Sequence, residues 1–258
     1  MATAEDILTA KLFFGAAFPV IQVLMDEDPK LHRRTEHFNH TVQFGAKNGE
    51  ELLCCHMIFQ DGHLDVADGP AEKADLILTF SAVEKMNALL KGGMSLPRFD
   101  GNLTLLPAFL SVLMSLKIMT AEPKNELQKY LKVKCSLYMI CHALSVYNKL
   151  GDPDFHEFCT RQPDRIYQFR VEDGGDPMKI ACYLRVKAGQ SKSGHGVYEQ
   201  RTPFVLFRFT SVDGALKVLN KQVEFVEGVE KGYVETIGSP EYACYLNDYM
   251  TILQTMLT

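Results

Sequence analysis

Three groups of residues in this chain are of types that do chemistry. Cys54, Cys55 and His56 stand together, and a thiol with an imidazole base is the raw material of a nucleophile. They fall in a segment that alternates like a strand, where Cys55 points away from both neighbours. Adjacent residues therefore leave no simple dyad. His32, His37 and His40 with Glu36 carry metal-ligating atoms, and on a helix His37 and His40 would share a face. The spacing supplies no third ligand, Arg33-Arg34 disfavours a cation, and a solvated loop is expected. The Gly/Ser-rich stretch 188–196 could cradle a phosphate, but it fits neither the Walker nor the dinucleotide pattern and predicts a hairpin loop. No Gly-x-Ser-x-Gly, His-Glu-x-x-His or paired-carboxylate signature is present. The expectation is a protein that is not an enzyme, with no catalytic residue, no metal and no cofactor.

The chain that must position these residues has 258 of them, 47% hydrophobic and 23% charged, which suits a globular protein of one large or two smaller domains. Against 27 basic residues stand 32 acidic ones, a net charge of −5. That balance argues against a nucleic-acid partner and against strong electrostatic attachment to anionic membranes. It leaves apolar ligands open. Seven cysteines, an odd number without CxxC spacing, predict buried reduced thiols in a cytoplasmic protein. The start, Met1-Ala-Thr-Ala-Glu-Asp, lacks the basic region of a signal peptide. The most apolar run, 103–119, contains Pro107 and is marginal for spanning a bilayer, so no integral membrane segment is expected.

A helix is predicted over residues 5–25, apolar on more than one face and broken or kinked at Pro19. Asp26-Glu27-Asp28-Pro29 ends it, and 30–40 is a polar stretch. Short runs at 41–46, 52–59, 63–67 and 75–80 read as a meander of antiparallel strands, with turns at Lys47-Asn48-Gly49 and Gln60-Asp61-Gly62. Helix 81–91 comes next, with Ser81 and Glu84 as a capping box and Gly92-Gly93 as its stop. A strand at 102–106 and an apolar helix at 107–119 complete the half.

The second half repeats the order. Helix 125–150 stops at Gly151-Asp152-Pro153, strands are predicted at 166–171, 179–187, 194–198 and 204–210, a helix at 211–220, a strand at 233–237 and a last helix from Ser239-Pro240 to 257. Gln43-Phe44 aligns with Gln168-Phe169, Gly49 with Gly174, Cys55 with Cys182 and Gly62 with Gly189. Phe80-Ser81 then aligns with Phe209-Thr210, Val83-Glu84 with Val212-Asp213 and Gly101 with Gly232, the offset drifting from 125 to 131. A constant order at nearly constant offset predicts a tandem duplication. Thr120-Ala121-Glu122-Pro123 marks the boundary, giving domains 1–122 and 123–258.

The stretch Ala74-Asp75-Leu76-Ile77-Leu78-Thr79-Phe80-Ser81, the helix ending at Lys91-Gly92, and Phe99-Asp100-Gly101-Asn102-Leu103-Thr104-Leu105 resemble the sterol carrier protein-2 family. The likeness covers about residues 36–119. It is looser in the second half, where Pro203-Phe204 replaces Ala-Asp and 229–237 replaces Phe-x-Gly. The resemblance implies an α+β fold: two sterol-carrier-like domains, each a mainly antiparallel sheet covered on one face by helices. It also implies an apolar tunnel that takes sterols, fatty acyl chains or other lipids and performs no reaction. Mammalian members end in a peroxisomal tripeptide, which Met256-Leu257-Thr258 is not, so a bacterial or cytosolic setting is expected.

Pattern and resemblance together name a ligand-binding set. In the first domain it is Phe80, Leu89, Leu90, Phe99, Leu103, Leu105, Phe109, Leu110 and Leu113. In the second it is Phe207, Phe209, Leu219, Val234, Tyr242, Tyr245, Leu246 and Tyr249. Helix 107–119 reads either as core packing or as a lid, and the last helix either as core or as tyrosine hydroxyls meeting a sterol hydroxyl or a carboxylate. The expected function is binding and transfer or presentation of a hydrophobic small molecule such as a sterol or fatty acid. Three other readings stay open: a scaffold with filled cavities, an accessory factor presenting a lipid or quinone intermediate to a partner enzyme, and an enzyme using Cys54, Cys55 or His56. A homodimer is compatible with each.

Overall fold

The computed structural model describes residues 1–172 and 179–257, which divide into two units, Met1–Thr120 and Ala121–Met256. In the first, β1 (Thr41–Asn48), β2 (Glu51–Gln60) and β3 (His63–Asp68) form the expected meander. Its second turn holds Asp61 at φ 51° and Gly62 at φ 79°, the paired left-handed residues of a tight hairpin. β4 (Leu76–Phe80) departs from the prediction. It crosses the sheet and pairs parallel with β1, Phe44 opposite Leu78. β5 (Arg98–Gly101) then pairs antiparallel with β4, for a sheet order β3-β2-β1-β4-β5.

One face of this sheet is dry. Leu76, Leu78 and Phe80 are buried while Ile77 and Thr79 between them are half-buried. Phe44 packs on Phe80 at 5.4 Å and on Phe18 at 5.5 Å, which places the N-terminal helical segment over this face. That segment is α1 (Ala4–Leu12), a π turn (Phe13–Ala17), a 3-10 turn (Phe18–Val20) around Pro19, and α2 (Ile21–Glu27). Thr3 and Asp6 close a capping box at its start. By length and composition alone, Ala4–Glu27 could cross a membrane, a property expected of no segment. Its most apolar window is 67% buried, as in the core helix of a globular unit.

Asp28-Pro29 ends α2 and also starts a helix, α3 (Pro29–Thr35), where only a polar stretch was expected. The Asp28 carboxylate accepts from the Lys30 and Leu31 amides, and Pro29 takes the first helical position, which needs no N–H. α4 (Val83–Leu90) has Ala82 rather than Ser81 at its cap; the Ser81 hydroxyl accepts from Lys85 instead. The strand predicted at 102–106 is a 3-10 turn (Leu103–Leu105) capped by Asn102, leading into α5 (Leu106–Ser115).

The second unit rebuilds this plan with α6 (Glu126–Lys149), α7 (Pro153–Thr160), β6 (Asp164–Val171), β7 (Ala181–Lys187), β8 (Gln190–His195), β9 (Val205–Phe209), α8 (Val212–Leu219), α9 (Phe225–Glu230), β10 (Val234–Gly238) and α10 (Pro240–Leu257). The sheet order is β10-β9-β6-β7-β8, again with one parallel pair, β6 with β9. Helix α7 repeats the story of α3: Asp152 caps it through the Phe155 amide and Pro153 opens it. β8 begins directly after the Ala188-Gly189 turn, four residues earlier than expected, because an edge strand needs no apolar run.

Register tests the internal alignment. Phe44 pairs with Cys55 and Phe169 with Cys182, so those matches are structural. Gly62 and Gly189 hold the same turn position. Gly174 lies outside the described residues. Gly101 does not correspond to Gly232. It faces Leu76 as Gly238 faces Val205, and a Cβ on either would meet a carbonyl oxygen, Asp75 O at 2.4 Å or Phe204 O at 2.1 Å. The inserted α9 shifts the true match to Gly238.

Gln43 and Gln168 are the polar equivalents. Both are buried in the central strand, on the face away from the helices, and each side-chain oxygen accepts from the crossing loop: Ala71 N at 3.1 Å and Tyr198 N at 2.9 Å. The Gln168 amide also donates to Cys182 O at 2.8 Å and Gly196 O at 3.1 Å. Replacing Gln168 with Leu strands these groups, and should destabilise the second unit by about 2–3 kcal/mol. Gln43→Leu, losing one such bond, should lose about 1 kcal/mol in the first. Urea unfolding of the two variants checks the order.

Candidate functional site

The second unit holds a cavity of about 190 Å³ between β9, α6, α8, α9 and α10. Its apolar wall comes from the dry face of the sheet, Phe207 and Phe209, and from Ile140, Val218, Leu219, Val223, Phe225 and Met250. The strand period of two puts both phenylalanines on one face. Phe207 is held there between Phe169, stacked at 4.6 Å, and Phe225 at 5.8 Å. Polar groups come from two elements: Lys221 and Glu224 after α8, and Asn247, Thr251 and Gln254 on α10. Lys221 reaches Thr255 Oγ1 at 3.3 Å, and the Gln254 amide donates to Leu219 O, tying α10 to the end of α8. The arrangement can hold an apolar body with a polar end at the rim.

Of the residues predicted for this cavity, Phe207, Phe209 and Leu219 line it. Val234 and Leu246 are fully buried elsewhere in the unit's core. Tyr242, Tyr245 and Tyr249 line a different hollow of about 480 Å³, between α7 and α10, together with Phe158, Asp154, Glu157, Arg161 and Glu241. The tyrosines lie on a separate face of α10 from Asn247, Met250, Thr251 and Gln254. Sequence reasoning missed those four and the Lys221–Phe225 segment; the i, i+3, i+4, i+7 spacing of 247, 250, 251 and 254 was the available signal.

The first-domain set disperses. Phe80 and Phe109 are fully buried, Leu105 and Leu113 nearly so, and Leu89, Leu90 and Phe99 are half-buried. Leu103 and Leu110 point outward, 54% and 39% exposed.

The residues with chemical potential sort differently. Burial raises the thiols of Cys54 and Cys55, with Asp68 adding to both, which opposes the thiolate a nucleophile needs. His56 Nδ1 lies 3.0 Å from Gly69 O and serves the loop. His32 contacts Met25 O at 2.9 Å, His37 lies beside Glu36, and His40 beside Asp75. Among the described residues no group of three or more His, Cys, Asp and Glu is placed to hold a metal. A cluster that spacing could not reveal joins α6 to β8. His142 Nδ1 sits 3.0 Å from Ser193 Oγ, its Nε2 3.0 Å from His195 Nε2, and Tyr138 stacks on His195 at 3.9 Å. Nearby, the sulfurs of Cys141 and Cys182 are 3.2 Å apart.

Burial, His195 and Lys149 together push the His142 imidazole down to about 4. The unfolded chain takes up this proton near the ordinary histidine value of about 6.5. Folding is therefore favoured fully above that value and loses ground as pH falls toward 4. Between neutral pH and about pH 4 the chain should lose roughly 2–3 kcal/mol more stability than a His142→Gln variant. Denaturant titrations of both proteins across this range measure the difference.

Several solved structures match the chain. Palmitated SCP2L2 of Aedes aegypti is 17% identical, with a TM-score of 0.31, over 43% of this chain and 90% of that one. Sterol carrier protein 2 of Yarrowia lipolytica, in its apo form, is 20% identical, with a TM-score of 0.30, over 38% and 88%. The sec-alkylsulfatase Pisa1 of Pseudomonas sp. is 12% identical, with a TM-score of 0.27, over 63% of this chain and 31% of that one. No protein-family model matches, and no curated protein matches at a significant level. What the chain is similar to, over less than half its length, is the sterol carrier protein 2 domain.

Proposed function

We propose that this protein binds a hydrophobic small molecule in the cavity of its second unit and carries it, or presents it to an enzyme. The supporting observation is the lining: eight apolar side chains and five polar residues, three of which, Lys221, Glu224 and Thr251, are exposed. Such a hollow rewards an amphiphile, because burial gives roughly 25 cal/mol per Å² of apolar surface while a polar end keeps its hydrogen bonds. At about 190 Å³ the cavity is smaller than the ~300–1,000 Å³ of common ligand pockets. It fits a short chain, or part of a longer one once its walls move. Met250, unbranched and half-buried, is the wall residue that repacks most readily. The two units then act as separate domains, divided at residues 120–124.

Filling the hollow tests this. Met250→Trp should weaken binding of a fluorescent fatty acid at least about tenfold with the melting temperature nearly unchanged, since one added ring displaces the ligand without opening a void. Tyr245→Ala, in the other hollow, should leave affinity within about twofold. Native mass spectrometry of the unaltered protein should retain a bound lipid. Equal affinity in Met250→Trp, or no binding by the unaltered protein, would remove the proposal.

A further inference from the structure

The connection between α4 and β5 in the first unit, residues 91–97, exposes apolar side chains that nothing in its own sequence obliges it to carry. Met94 is 100% exposed and Leu96 88%; among the described residues only Met1 is a more exposed large hydrophobic. The ends of the loop are fixed. Gly92, at φ 89°, and Gly93 close α4 through bonds to Leu89 O and Ala88 O, and Arg98 begins the β5 ladder opposite Thr79. The tip is thus presented outward from a held base.

Charge is arranged around it. From Lys85 to Phe99 the chain carries three cations, Lys85, Lys91 and Arg98, with exposed Glu84 and Asp100 just outside this stretch, although the whole protein is net −5. Lys91 and Arg98 bracket the two apolar tips and both are exposed. A loop of seven residues cannot supply the ~1,200 Å² that a stable protein interface buries. Two projecting apolar side chains with flanking cations need no such area to enter lipid: the tips sink past the headgroups and the cations stay at the anionic surface.

We propose that residues 91–97 are a membrane-docking loop, inserting Met94 and Leu96 into the interfacial layer of an anionic phospholipid bilayer while Lys91 and Arg98 contact its headgroups. This docking is independent of the ligand cavity. A Met250→Trp protein should bind vesicles normally, so failure of one proposal leaves the other standing.

The chain contains no tryptophan, so Leu96→Trp installs a unique reporter. On vesicles of phosphatidylcholine mixed with phosphatidylserine its emission should shift to the blue and be quenched by brominated acyl chains. In co-sedimentation with the same vesicles, the double variant Met94→Asp/Leu96→Asp should partition at least about tenfold more weakly than the unaltered protein, with unchanged melting. Lys91→Glu/Arg98→Glu should lose the preference over pure phosphatidylcholine, about fivefold or more for each charge. A reporter that stays in water, or equal partition of the aspartate variant, would overturn the proposal. So would a concentration-dependent dimer of the unaltered protein that the aspartate variant abolishes, since the loop would then belong to a second copy.

Discussion

The parallel pairing of β4 with β1, and of β9 with β6, forces the chain to leave one edge of each sheet and cross a face before adding its next strand. The helices occupy one face, so the crossing runs over the other, and the central strand ends up covered on both sides. A loop laid on a sheet brings backbone N–H groups out of water that no ladder satisfies. The glutamine in the middle of each central strand answers that need, one carboxamide oxygen reaching the loop amide at Ala71 or Tyr198. With the crossing pinned, β4 and β9 lie where their phenylalanines face the helices. Phe207 and Phe209 can then serve as a cavity wall.

Much of this was legible in the sequence because it is local. The hairpin at Asp61-Gly62, the alternation in 76–80, and the match of Gln43 to Gln168 and of Gly62 to Gly189 all depend on turn chemistry and a period of two, whereas 188–196, read as a loop, closes in two residues and is otherwise strand. What failed was of two kinds. Asp28-Pro29 and Asp152-Pro153 read as ends, yet Asp before Pro is equally a cap and a first helical residue; the missed helices α3 and α7 begin there. Direction and partner of a strand are not local at all, and nothing in 75–80 says that it joins β1 in parallel. Gly232 drew the alignment away from Gly238 because α9 lengthens that connection, and only the approach to a backbone carbonyl identifies the true counterpart.

The site was legible to the same depth. Sheet residues Phe207 and Phe209 could be named because a strand has two faces and one is dry. The last helix has more than two. Its tyrosines, its buried Ala243, Leu246 and Leu253, and its Asn247, Met250, Thr251 and Gln254 belong to three different surroundings. A stripe of large residues at helical spacing does not say which of these it meets. Polar residues at the cavity rim were invisible for the converse reason: Thr, Asn and Gln on a helix look like solvated positions until the neighbouring elements are placed.

The π turn at Phe13–Ala17 carries a consequence for how this chain could have changed. Such a turn holds one residue more than the helix around it, so it absorbs an insertion without rotating the helix beyond it. Deleting a single residue there would restore regular winding and leave α1 facing as it does, with its packing against α4 kept, whereas the same deletion within α1 or α2 would turn one part against the other by about 100°. The segment is therefore the one stretch of this buried helix that can gain or lose a residue, and an ancestor one residue shorter would have buried the same stripe of its first helix.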